Sequence, residues 1–227
     1  MPLKSFILIE KGGLITLRFF VIALTLVFSA CSDSGSDSSV SNVENSAKCA
    51  DVPENTFCDS RDGKVYWKVK IGQQVWMAEN LSFYKAGSYC YDDNTMICRQ
   101  YGRLYSWSSA IISCPDGWRL PSKSDYEALF KAVGGGSVAG RMLKSRSDWH
   151  NDGNGINEFG FKALPAGKTN DEDDYGLLND EARFWTSTEL AGQGQCYVKL
   201  TSDSDAVFFV CDGTNRDDAL SVRCVEE

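Results

Sequence analysis

The chain has 227 residues, 43% of them apolar and 12% aromatic, with a formal charge of −8 at neutral pH. That length and composition suit one sizeable domain or two small ones with an ordinary core. The acidity argues against nucleic acid as a partner, since phosphates require a basic surface, and against a polybasic membrane-binding face.

In chain order, Lys4, Lys11 and Arg18 come first, ahead of an unbroken apolar-to-small run from Phe19 to Ala30. A positive flank, a short apolar core and small residues before a cut describe a secretory signal. The run is too short to span a bilayer comfortably, which takes about 20 apolar residues. Phe28-Ser29-Ala30-Cys31 resembles a bacterial lipobox, with Phe28 in place of the usual leucine. On that reading Cys31 is lipidated and begins the mature protein. The alternative is an ordinary signal cut near Ala30 that leaves a spare thiol. Ser32 follows the cysteine instead of Asp, and by resemblance to Gram-negative lipoproteins this directs the protein to the outer membrane. Acylation there would exceed the two-signal threshold for stable anchoring. Ser32–Ala47 is rich in Ser, Asp and Asn with almost nothing apolar, so it reads as a flexible tether. The expected plan is a signal peptide over 1–30, a tether over 31–47 and a folded body over 48–227.

The folded body opens with alternation. Val65, Trp67, Val69 and Ile71 share one strand face, Gly72-Gln73 makes a turn, and Gln74–Glu79 forms a second strand. Leu104, Trp107, Ser108 and Ile111 fall at helical spacing. Pro121 then blocks helix at the residue before it. Ser122 with Asp125, or Ser124 with Glu127, supplies a capping box for a helix carrying Tyr126, Leu129, Phe130 and Val133 inward and ending at Gly134. A short helical piece follows near Met142. The last third reads as strand and turn, including a hairpin of Cys196–Leu200 with Val207–Cys211. Two helices followed by a curled antiparallel sheet is an α+β plan.

Setting Cys31 aside, eight of the nine cysteines remain, and an exported chain meets an oxidising compartment. No zinc-type spacing occurs, so a metal site is the weaker reading. In the hairpin, Val198 opposes Phe209 and Leu200 opposes Val207, which places Cys196 opposite Cys211. Such neighbours have Cβ atoms about 4.5–5.5 Å apart, near bridging distance. Cys49–Cys58 and Cys90–Cys98 are then local staples, and Cys114–Cys224 closes a loop around most of the domain.

The stretches "DGKVYWKVKIGQQVWMAENL", "YGRLYSW", "CPDGWRLPS", "GFKALPAG", "FWTSTE" and "SVRCV" occur in order from about Asp59 to Val225. Together they resemble the Fibrobacter succinogenes major paralogous domain family. That family's frame is similar to C-type-lectin-like domains, so the resemblance implies a compact C-type-lectin-like α+β unit with paired ends, in agreement with Cys114–Cys224. It implies little about activity beyond bacterial surface lipoproteins in contact with glycan or another polymer.

Candidate sites are few. The calcium-lectin triplets Glu-Pro-Asn and Gln-Pro-Asp are absent. Asp148, His150, Asp152 and Gly153 begin like an EF-hand loop, but Phe159 stands where Glu is needed, so no metal or cofactor is expected. Asn170–Asp174 packs carboxylates together, as solvated loops commonly do. Among six tryptophans, Trp67, Trp107, Trp118 and Trp185 read as core, and Trp76 is ambiguous. Trp149 lies in a polar, Gly-rich loop beside His150, the one histidine. Either it packs inward, or Trp149, His150 and Asp152 form a recognition site. Catalytic equipment is sparse, and no catalytic residue is assigned. The expectation is a lipid-anchored surface module binding a polysaccharide or a surface protein. The alternatives are a coat protein and, more remotely, a hydrolase or another enzyme on a fold resembling formylglycine-generating enzymes.

Overall fold

A computed structural model describes residues 49–170, 174–211 and 218–227. Cys31, the signal peptide, the tether and the centre of the Asn170–Asp174 run lie outside the described residues.

The N-terminal sheet begins with β1 (Thr56–Asp59), β2 (Lys64–Ile71) and β3 (Gln74–Met77). It is completed by β6 (Trp118–Arg119) and β13 (Val225–Glu226), in the order β1-β2-β3-β13-β6. The last strand of the chain therefore pairs between two early ones, with Val225 opposite both Trp76 and Arg119. The second sheet holds β4 (Ser88–Tyr89), β5 (Leu104–Ser106), β9 (Glu181–Leu190), β10 (Gly194–Thr201), β11 (Val207–Val210) and β12 (Asp218–Ser221). Their order is β11-β10-β9-β12-β5-β4, with β7 (Ala166–Asn170) and β8 (Gly176–Leu178) branching from β12. All described pairings of named strands are antiparallel except β12 with β9. The helices are α1 (Thr95–Tyr101), α2 (Trp107–Ala110), α3 (Lys123–Ala132) and α4 (Gly136–Leu143). The protein is an α+β fold with a curled sheet.

The hairpin pairs in the register read from the sequence, Val198 with Phe209 and Leu200 with Val207. Its cysteines lie with Cα atoms 4.3 Å apart. Cys49–Cys58, Cys90–Cys98 and Cys114–Cys224 pair at 5.5, 5.2 and 5.9 Å.

Helix α3 starts as its sequence demands. Ser122 Oγ accepts from the Asp125 N–H, and Asp125 Oδ2 accepts from the Ser122 N–H at 2.7 Å. Arg119 grips the same carboxylate with two nitrogens at 2.7 and 2.9 Å. The Arg119 guanidinium and the Ser122 donors hold Asp125 well below the usual carboxylate range. The stability this provides is present above the unfolded carboxylate pKa of about 4 and fades as pH falls below it. Asp125→Asn should cost about 1 kcal/mol at pH 7. The difference between the melting curves of wild type and variant should shrink steadily as pH falls below about 4.

Three readings of the sequence need correction. Residues 104–111 are not one helix: Leu104–Ser106 is strand β5, flanked by β12 and β4, and only one turn of helix follows. Pairing on both edges overrides the helical spacing. Helix α1 was missed, although Asn94 caps it by accepting from the Met96 N–H and Gly102 ends it. The third correction concerns β2. Its alternation is real, but Trp67 is 54% exposed while Tyr66 is fully buried. The first half of β2 pairs with β1 and packs Tyr66 with Phe57 and Trp118. The second half pairs with β3 and turns Val69 and Ile71 into the core on the opposite face. One strand therefore serves two cores from opposite sides.

Candidate functional site

The predicted recognition triad does not form a site with an exposed aromatic. Trp149 is only 5% exposed. Its indole N–H donates to Ser145 Oγ at 3.0 Å and to the Ala163 carbonyl at 3.3 Å, and Lys144 Nζ lies 5.0 Å from its ring. An indole whose N–H is satisfied in the interior is a packing residue. His150 is exposed and meets Asp180, Nδ1 to Oδ1, at 3.1 Å. Asp152 is also exposed and lines an open polar depression of about 540 Å³. Gly153 docks this loop on the β10–β11 turn, where a Cβ would lie 2.1 Å from the Ser202 carbonyl oxygen. A neighbouring depression of about 440 Å³ shares Asn151, Ser202 and Asp203. Together the two carry Asp152, Asp180, Glu181, Asp203 and Asp205 against Lys144 and Lys199. Lys144 is committed elsewhere, since Nζ donates to the Thr201 and Ser204 carbonyls and holds the turn in place.

The other tryptophans behave differently from Trp67. Trp76, Trp118 and Trp185 are buried, with Trp76 against Tyr126 and Phe161, and Trp107 is half-buried with its N–H on the Thr186 carbonyl. Trp67 alone among the six leaves more than half its surface to solvent. It borders a depression of about 280 Å³ floored by Val69, Ala78 and Gly160 and flanked by Glu79 and Lys162. Apolar surface predominates there, whereas the Asp152 depression is mostly polar.

The polar groups around Trp67 are fixed in place. The Trp67 backbone N–H donates to Glu79 Oε2 at 3.0 Å, which anchors that carboxylate against β2. Lys162 is exposed and has φ 52°, a conformation its neighbours impose. Its N–H donates to Asn157 Oδ1 at 2.7 Å, and its carbonyl accepts from Arg223 at 3.2 Å. Nine of the eleven described non-glycine residues with positive φ are Asn or Asp, which tolerate that region; Lys162 and Leu177 are the others. Positions of this kind gather at ligand clamps.

Beneath this face lies Arg223, fully buried and in no salt bridge among the described residues. Its guanidinium donates to Asn80 Oδ1 at 2.6 and 3.1 Å and to the carbonyls of Met77, Phe161 and Lys162. It stacks 4.4 Å from the Phe161 ring centroid. Burial pulls its pKa down, yet it remains a cation at neutral pH. Hydrogen bonds to buried carbonyls solvate the charge without cancelling it.

The sequence reading put Trp67 in the core because alternation identifies a strand face without saying which side is covered. A usable signal was present: Tyr66 interrupts the face that carries Lys64, Lys68 and Lys70, so that side of β2 is not purely polar.

No curated protein and no solved structure matches this chain. The profile of the Fibrobacter succinogenes major domain matches residues 69–226, so it begins two residues after Trp67 and includes Glu79, Lys162 and Arg223. With that match covering more than half of its length, the chain belongs to the Fibrobacter succinogenes major domain family.

Proposed function

We propose that this protein is a surface binding module whose contact face is the Trp67 depression and whose ligand is a glycan or a comparable polymer. One observation carries the reading: a tryptophan 54% exposed, over an apolar depression, with a fixed carboxylate and a lysine at its rim. Burying a large aromatic contributes much of the energy of an interface, and a flat ring flanked by polar groups suits a sugar ring edged with hydroxyls. The wider proposal keeps Cys31 as a lipid anchor, the outer membrane as the location and a C-type-lectin-like domain as the scaffold. What supports that scaffold is the pairing of the last strand between two early ones and the Cys114–Cys224 closure.

The test is retention of the oxidised protein on a panel of insoluble and soluble polysaccharides, with Trp67→Ala beside Phe208→Ala. Phe208 is a comparably exposed aromatic on β11, at 42%. Loss of binding by at least tenfold in Trp67→Ala, with Phe208→Ala unchanged, is the expected outcome. Binding that survives Trp67→Ala and disappears in Phe208→Ala would move the site to the acidic depressions.

A further inference from the structure

The depressions of the domain differ in charge. The depressions around Asn151 present five carboxylates and two lysines. The Trp67 depression runs into a narrow cleft of about 40 Å³, sharing Ala78, Glu79 and Lys162 with it. Along these two, Lys64, Lys68, Lys162 and Arg99 stand against the single carboxylate Glu79. Lys68 is partly neutralised by Glu226 at 3.2 Å, and Lys64 bonds Ser82 and feels Glu79 and, less, Asp62. Lys162 makes no ion pair within the described residues, and Arg99 only touches the Met96 sulfur. Arg223 adds a buried charge below, bonded to the Met77 and Lys162 carbonyls at the depression's edge. The strip is locally cationic on a chain of net charge −8, and an excess of one charge sign along a groove selects and steers an oppositely charged partner.

Resting on the reading of Trp67 as the contact face, we propose that its ligand is a polyanionic polysaccharide, with a sugar ring against Trp67 and acid groups on Lys162 and Arg99. The acid can be carboxylate or sulfate, since both offer oxygen acceptors to an ammonium and a guanidinium. Glu79, anchored by the Trp67 backbone N–H, is left to accept from sugar hydroxyls.

Titration calorimetry of the oxidised full-length chain tests this with three probes: polygalacturonate, the same polymer with its carboxyls methyl-esterified, and heparin as the sulfated arm. The esterified form keeps the ring and removes the charge. At least one anionic probe should bind tenfold or more tightly than the ester, and its affinity should fall as salt rises. Lys162→Asn, which removes the cation but suits φ 52°, should weaken anionic binding by about tenfold and leave the melting temperature unchanged. Neither anionic probe binding more tightly than the ester, or no effect of Lys162→Asn, would overturn the anionic assignment while Trp67-dependent binding stands. Binding of neutral polymers alone at Trp67 would overturn it in the same way. If no polysaccharide in the wider panel binds through Trp67, the contact face itself is wrong and both proposals fall.

Discussion

Replacing Cys114 and Cys224 together by serine should lower the melting temperature more than removing any of the other three bridges. The two cysteines are 110 residues apart, whereas the other pairs are separated by 8, 9 and 15. In the chain-entropy account the long loop contributes about 4–5 kcal/mol and the short ones about 2.5–3. The bridge also joins the segment before β6 to the segment before β13, so it fastens both partners of one sheet edge. Arg61 reinforces the same place: it donates to the Ser113 carbonyl at 2.9 Å and pairs with the fully buried Asp59 carboxylate at 2.6 Å. For a domain of this size the loss corresponds to about 10–15 °C. The check is differential scanning calorimetry of the four paired-serine variants under oxidising conditions. A local bridge that costs more than Cys114–Cys224 would mean that native packing, not loop closure, sets the ranking.

The other large effect is expected at Arg223. Replacement by Met roughly preserves length and removes the donors. It leaves the Met77, Phe161 and Lys162 carbonyls and Asn80 Oδ1 short of a partner they have in the wild type. Unsatisfied buried acceptors cost about 1–3 kcal/mol each before relaxation, so a loss of about 3–5 kcal/mol is expected. Arg223→Lys should recover little of it, because one ammonium cannot reproduce a planar fork with donors in several directions. Urea denaturation of the three proteins reads this directly. A Met variant within 1 kcal/mol of wild type would show that water or rearrangement satisfies those carbonyls.

These two sites differ in how far the sequence reveals them. The four cysteine pairs followed from one hairpin register and from counting, because alternation in Cys196–Leu200 and Val207–Cys211 fixes which residues face each other. The α3 start was legible for a similar reason, since its capping residues are local. Arg223 was not legible. Its acceptors come from residues 77, 80, 161 and 162, which only the tertiary fold assembles. Residues 104–106 misled for the same reason, because two distant strands capture them.

The candidate site was only partly legible. The sequence placed a polar, exposed loop at 150–154, and His150, Asn151, Asp152 and Asn154 are exposed there. It could not tell that Trp149 turns inward to Ser145 and Ala163, because the partners of an indole N–H are set by the fold. In β2, period-two alternation gave the correct set of residues and the wrong side at its first half. Burial there depends on Phe57 and Trp118, which cover the Tyr66 side.

In the proposed function, ligand meets this protein at Trp67. Six tryptophans give six indole N–H signals, so ¹H–¹⁵N spectra during titration with a retained polysaccharide test that claim most directly. The Trp67 signal should shift or broaden saturably, with the signals of the buried Trp76, Trp118, Trp149 and Trp185 held in place. A Trp67 signal that stays fixed while a ligand binds and the amides around Asn151 and Asp203 move would contradict the account and transfer the site to the acidic depressions.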